Sequence, residues 1–139
     1  VPDLEATARR YEKLGGMYQL RRICPNIVYG RVLSRISNTE VELLAPLDQN
    51  SSVARFLARN PSGGMHHLCF EVDDILATRN RLRENGMQIS GDREPKTGAH
   101  GKPMLFMHPR DFDSTLIELE EAITRPVSRH HVSASSPMI

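Results

Sequence analysis

The chain repeats itself, and this constrains its fold more than any other feature. The segment "VPDLEATARRYEKLGGM" (1–17) resembles "VDDILATRNRLRENGM" (72–87). Val1, Asp3, Leu4, Ala6, Thr7 and Arg10 match Val72, Asp74, Ile75, Ala77, Thr78 and Arg81 at a constant offset of 71. Each copy reads as a helix. Asp3 and Asp74 are placed to cap the N-termini, and Gly15 and Gly86 to stop the helices. Leu4, Tyr11 and Leu14 share one face of the first helix; Ile75, Thr78 and Leu82 share one face of the second.

The repeat continues beyond the helices. "TEVELLAP" (39–46) and "STLIELEE" (114–121) both read as short strands with a glutamate among apolar residues, Glu42 in one and Glu118 in the other. Between helix and glutamate each copy has room for two more strands. In the first copy these are "GMYQLRRIC" and "IVYGRVLSRI"; in the second they are "MQISGD" and "PMLFMHP". The second unit also has a strand, "HHLCFEV", before its helix. The expected architecture is α+β, two βαβββ modules with the first strand of module 1 missing from the given chain. Module 1 spans 1–47, a linker with a short helix at "SVARFLARN" spans 48–62, module 2 spans 63–122, and 123–139 is a mobile tail. By analogy with His67 and Val72, a residue matching His67 is expected about five positions before Val1.

Alternate side chains of a strand share a face. His67, Cys69 and Glu71 therefore lie on one side of "HHLCFEV", and His66, Leu68, Phe70 and Val72 on the other, expected to pack under the helix. Glu118 shares its face with Leu116 and Glu120. If these faces line one cleft, His67, Glu42 and Glu118 converge there. Imidazole and carboxylate together suit a divalent zinc, manganese, cobalt, nickel or iron ion. Taken alone, a histidine at a strand start is usually a surface residue and a glutamate in a strand is usually solvated. Matching positions in the two units lift these three above that reading. His66 reads as structural, and His130 and His131 as residues of the tail.

Composition excludes other classes. Eighteen Lys and Arg against 17 Asp and Glu leave no basic surplus for nucleic acid. No apolar run approaches the roughly 20 residues that span a bilayer. Cys24 and Cys69 show no disulfide framework, which favours a reducing, intracellular setting, and no signal peptide is visible at the start.

The stretches "VELLAPLDQNSSVARFLARNPSGGMHHLCFEVDDI" and "EPKTGAHGKPMLFMHPRDFDSTLIELEE" closely resemble the methylmalonyl-CoA epimerase family of the vicinal oxygen chelate superfamily, over roughly residues 1–122. The resemblance implies two βαβββ units in a half-open barrel around a divalent metal, cobalt first, with manganese, nickel or zinc as alternatives. It carries over Glu42, His67 and Glu118 as metal ligands, Glu118 as a proton-transfer base, and His100 and Lys102 of "GAHGKP" as substrate-binding residues. The implied reaction is 1,1-proton transfer between the 2R and 2S forms of methylmalonyl-CoA. A coenzyme A thioester is the implied partner, in a homodimer, in a mitochondrial matrix or a bacterial cytoplasm. A second catalytic glutamate of some members has no counterpart, since no acid occurs between Glu12 and Glu40.

Three alternatives stand beside this reading. A glyoxalase I-like lyase acting on glutathione hemithioacetals would carry a "DPDG"-like turn where this chain has "HPRDFDS". A dioxygenase would want an aromatic-lined pocket, and aromatics are only 5%. The third is a ligand-binding member without catalysis.

Overall fold

Residues 1–14, 17–24, 27–33, 40–91 and 93–123 are described by the computed structural model, with backbone alone for 17–24 and 27–33. Gly15 and the tail beyond 123 lie outside the described residues. The elements run α1 (Leu4–Glu12), β1 (Met17–Cys24), β2 (Ile27–Leu33), β3 (Glu40–Pro46), α2 (Ser52–Arg59), β4 (Leu68–Val72), α3 (Ile75–Glu84), β5 (Lys96–Thr97), β6 (Pro103–Met107) and β7 (Ile117–Glu121). A 3₁₀ turn at Pro109–Phe112 precedes β7. This is a mixed α+β chain with two open sheets, ordered β1-β2-β3 and β4-β7-β6-β5. The first is wholly antiparallel; in the second β4 runs parallel to β7. No described helix is long and apolar enough to cross a membrane.

The repeated aspartates act alike. Asp3 Oδ1 accepts from the amide of Ala6 at 2.9 Å, and Asp74 Oδ1 from Ala77 at 2.8 Å. Each satisfies an amide that the first turn of a helix leaves unpaired. Glu121 adds a second anchor to α3, its Oε2 accepting from the amide of Ile75 at 2.9 Å. Gly86 ends α3 at φ +77°, a conformation natural to glycine, and the amide of Met87 returns to the carbonyl of Leu82.

Each helix buries one face. Ala8 and Leu43 form a small core with Leu4, Tyr11, Val1 and Val41 around them. Leu14, expected on that face, is 82% exposed, because it lies beyond the last helical turn. The larger core joins Ile75, Ile89, Leu105, Met107, Ile117 and Leu119, with Val72 and Leu82 against it. Leu68 and Phe70 are not under the helix. They are exposed, since β4 is the edge of its sheet and α3 packs on β6 and β7 instead.

One expected strand is reduced to a single bridge. "MQISGD" forms an isolated bridge, Ile89 with Met107, and the ladder resumes only at β5. Gly91 at φ +77° and Arg93 at φ +69° turn the chain away, and Pro95 has no amide to donate. The amide of Gln88 is meanwhile taken by Asp111 Oδ2 at 2.6 Å.

Met107 is wholly buried. Met107→Ala is expected to destabilise the chain by about 2–5 kcal/mol. Leu14→Ala should stay within about 0.5 kcal/mol of the parent. Urea denaturation followed by circular dichroism checks both, and equal losses would contradict this account of the core.

Candidate functional site

The register of the second sheet builds the site. Cys69 stands opposite Glu118 across β4 and β7, and Phe106 stands opposite Glu118 across β6 and β7. The next row in the same sense holds Glu71, Glu120 and Met104. Ile117, Leu119, Leu105 and Met107 point the other way, into the core. Alternation therefore delivers two glutamates of "IELEE" to the face away from α3.

His67 lies just before β4, whose start is tied down by the amide of Leu68 bonding to the carbonyl of Leu116. Its Nε2 is 3.0 Å from Glu118 Oε2, with both side chains largely buried. A series of edge-to-face rings runs through it. Phe56 of α2 meets His66 at 5.2 Å between centroids, His66 meets His67 at 5.2 Å, and His67 meets Phe106 at 5.8 Å. His66 Nδ1 lies 2.9 Å from His67 Nδ1, so a proton on one ring is shared with the lone pair of the other. His66 has its pKa lowered to about 4, by burial first and by the neighbouring His67 second. It stays neutral and ties His67 down from behind.

The motif "GAHGKP" is the turn between β5 and β6. Gly98 is required by close approach, since a Cβ there would come within 2.7 Å of Met104 Cγ. Gly101 supplies φ +74°. The amide of Gly98 donates to the carbonyl of Lys102 at 2.8 Å, which closes the turn. His100 then reaches both sheets. Its Nε2 is 2.8 Å from Glu42 Oε1 on β3, and its Nδ1 is 2.7 Å from Glu120 Oε2 on β7. Lys102 Nζ donates to Glu120 Oε1 at 2.8 Å and to Glu71 Oε1 at 2.9 Å.

Charge is concentrated here. Burial opposes ionisation of Glu120, yet its bonds to Lys102 and His100 together hold its carboxyl below the usual range. Burial likewise opposes the charge on Lys102, and Glu120 and Glu71 outweigh it. Cys69 has its thiol pushed up to about 12, by partial burial and then by Glu118, Glu120, Glu42 and Glu71. Although exposed as a residue, it is surrounded by carboxylates and is kept a neutral, unreactive thiol.

The sequence pointed to Glu42, His67, Glu118, His100 and Lys102. The structure brings His67 to Glu118, and His100 to Glu42, while Lys102 is held by Glu71 and Glu120. Among the described residues no three His, Cys, Asp or Glu side chains form a ready cation cluster. One observation does fit a cation. Glu42 Oε1 is buried with no hydrogen bond directed at it, even though His100 Nε2 is close. A buried carboxyl oxygen left without a hydrogen bond is costly. Imidazole and carboxylate, the donor types of His67, Glu118 and Glu42, suit a divalent transition metal, although the structure groups His67 with Glu118 and Glu42 with His100 rather than the three together. Sequence reasoning passed over Glu120, Phe56 and Phe106. The spacing Glu118 to Glu120 marks the first; nothing local marks the ring contacts, which come from separate elements. "HPRDFDS" forms the 3₁₀ turn, capped at His108 and tied to Gln88 through Asp111.

The depressed pKa of His66 has a consequence for stability. The unfolded chain takes up a proton near the ordinary value of 6.5, whereas the folded chain resists until about 4. Stability therefore falls as pH drops through that window, and levels off below it. His66→Phe, which keeps a ring against Phe56, is expected to flatten the pH 6.5 to 4 slope. Urea midpoints measured across this window check it; an unchanged slope in the variant would contradict it.

Residues 1–106 match the family model described as glyoxalase/bleomycin resistance protein/dioxygenase superfamily. The chain is 49% identical over 122 residues to the ethylmalonyl-CoA/methylmalonyl-CoA epimerase of Cereibacter sphaeroides, covering 87% of this chain and 91% of that protein. A crystal structure of a selenomethionine methylmalonyl-CoA epimerase superposes with a TM-score of 0.77 at 34% identity, covering 88% of this chain and 90% of the other. A methylmalonyl-CoA epimerase in complex with methylmalonyl-CoA and ammonium superposes at 0.75 with 27% identity, covering 88% and 89%. The chain belongs to the glyoxalase/bleomycin resistance protein/dioxygenase superfamily and, within it, to the methylmalonyl-CoA epimerases.

Proposed function

We propose that this chain interconverts (2R)- and (2S)-methylmalonyl-CoA by 1,1-proton transfer. The observation that carries the reading is the His67–Glu118 pair, set on the face of the second sheet that also presents Glu120 and faces Glu42 through His100. The relatives named for this reaction, one of them with methylmalonyl-CoA bound, support the substrate.

The reaction breaks the C–H bond between a thioester and a carboxylate and remakes it on the other face. Glu118 is the base. Its Oε2 lies 3.0 Å from His67 Nε2, on the side the two proposed ligands share, which leaves Oε1 to take the α proton. His66 holds His67 in turn, through the Nδ1 contact and the ring stack. His100 and Lys102 are the substrate-recognition residues. Both meet carboxylates here, Glu42, Glu71 and Glu120, which is the chemistry by which they would meet the malonyl carboxylate. Water or His100 returns the proton from the opposite face, where no glutamate is available between Glu12 and Glu40. Glu42, His67 and Glu118 would hold a divalent cation, cobalt, manganese, nickel or zinc; when bound, it supplies positive charge to substrate oxygens as negative charge develops on them. An α proton of a thioester is only weakly acidic, so its removal by a carboxylate needs electrostatic stabilisation of the enolate oxygens.

Two experiments test this. In deuterated solvent the wild type is expected to exchange the α proton of methylmalonyl-CoA. Glu118→Gln, which retains a carbonyl oxygen but cannot take the proton, is expected to lose at least about a hundredfold in rate. Wild-type exchange in that variant would exclude Glu118 as the base, and faster turnover of methylglyoxal with glutathione would favour the glyoxalase reading. For the cation, elemental analysis of purified protein should show lowered metal content in His67→Ala and in Glu118→Ala. Undiminished content in both would remove these residues from the ligand set.

A further inference from the structure

Glu120 is the most buried ionisable residue among those described, at 4% exposure, and the proposed chemistry does not use it. Its two oxygens are divided between two side chains of one turn, Oε2 to His100 Nδ1 and Oε1 to Lys102 Nζ. A carboxylate buried to this extent is tolerated only when such partners are present. The turn, residues 98–102, hangs between β5, which is two residues long, and β6. Its own backbone bonds are two, Gly98 to Lys102 at 2.8 Å and Gly101 to Gly98 at 3.0 Å. Those bonds shape the turn but do not tie it to the sheet face. Glu120 does, and from β7 it grips both ends of the turn's functional pair.

The consequence reaches across the two repeat units. With Nδ1 of His100 held by Glu120, the imidazole plane is set and Nε2 is carried to Glu42 Oε1 on β3. The contacts run from Glu42 through His100, Glu120 and Lys102 to Glu71, joining β3, the turn, β7 and β4. Glu120 sits at the middle of this series. The outer end, Glu71, is mostly exposed, with its side chain at 64%.

We propose that Glu120 is a positioning residue: it clamps the 98–102 turn to β7 so that His100 is presented to Glu42 from the other repeat unit. It touches neither substrate nor base and acts through His100 and Lys102. The kinetic part of this inference rests on the epimerase reading; the structural part does not.

The test uses the full chain labelled with ¹⁵N at histidine, with His100 assigned through His100→Gln. In Glu120→Gln the His100 ring nitrogen resonances should move, and amide exchange at Gly98 and Gly101 should rise about tenfold or more while α3 keeps its protection. On methylmalonyl-CoA, kcat/KM should fall ~10- to 100-fold with much of the loss in KM, since the side chains that Glu120 supports are the substrate-recognition residues. Glu71→Gln should leave the His100 resonances and turn exchange within about twofold of wild type, since exposed pairs contribute little. Unmoved His100 resonances and unchanged turn exchange in Glu120→Gln would overturn the proposal. So would faster exchange spread evenly over the chain, which is the mark of general destabilisation. If Glu120→Gln does not fold, Lys102→Met is read in the same way. It removes one of the two grips, and unchanged exchange at Gly98 and Gly101 would then overturn the proposal. A wild type that does not turn over methylmalonyl-CoA, with the resonance and exchange changes present, would sink the epimerase reading and leave the clamp supported.

Discussion

Parallel pairing of β4 with β7 is the constraint on which the site depends. The pairing sets Cys69 against Glu118 and Glu71 against Glu120, and starts just after His67. A slip of one residue would turn Glu118 and Glu120 into the core and Ile117 and Leu119 out of it. That slip is resisted by burial, because Ile117 and Leu119 pack with Leu105, Met107 and Ile75 beneath α3. The hydrophobic face therefore holds the polar face in register. The two sides of one strand share the work, with apolar burial behind and charge in front.

The polar side is arranged so that its carboxyl groups meet imidazole or ammonium groups. His67 meets Glu118, His100 meets Glu42 and Glu120, and Lys102 meets Glu120 and Glu71. Low local dielectric makes these contacts stronger than surface pairs and makes an unpaired member costly. Glu42 Oε1 is buried and receives no directed hydrogen bond, although His100 Nε2 lies 2.8 Å away. A buried polar atom left in this state calls for a specific cause, such as strain, a catalytic role or an ion. Cys69, amid four carboxylates, adds bulk without charge, which keeps the carboxylates from being joined by a fifth anion.

Much of the candidate site was legible because it rests on short-range rules. Two-residue alternation places His67, Cys69 and Glu71 together, and Glu118 with Glu120. The offset of 71 between helices announces two like units and both aspartate caps. The "GAHGKP" turn is readable as a turn from its glycines. Its target is not, because Glu120 lies 18 residues beyond Lys102 and 20 beyond His100. Leu68 and Phe70 misled for a similar reason. Alternation gives their side of the strand correctly, but whether a helix covers that side depends on where α3 comes to rest.

By itself the sequence determined the local geometry: which residues start and stop helices, which side chains share a strand face, where glycine must stand, and that the chain is built from a repeated unit. These follow from backbone sterics and from periods of two and 3.6 residues, which act over a few positions. Tertiary structure alone decided the partners. It set His100 between Glu42 and Glu120, buried Glu120 more deeply than Glu118, stacked Phe56 on His66, and reduced "MQISGD" to one bridge. Those outcomes depend on strand register and on the resting place of a turn. Both are set by packing between segments far apart in the chain, and local propensity carries no information about them.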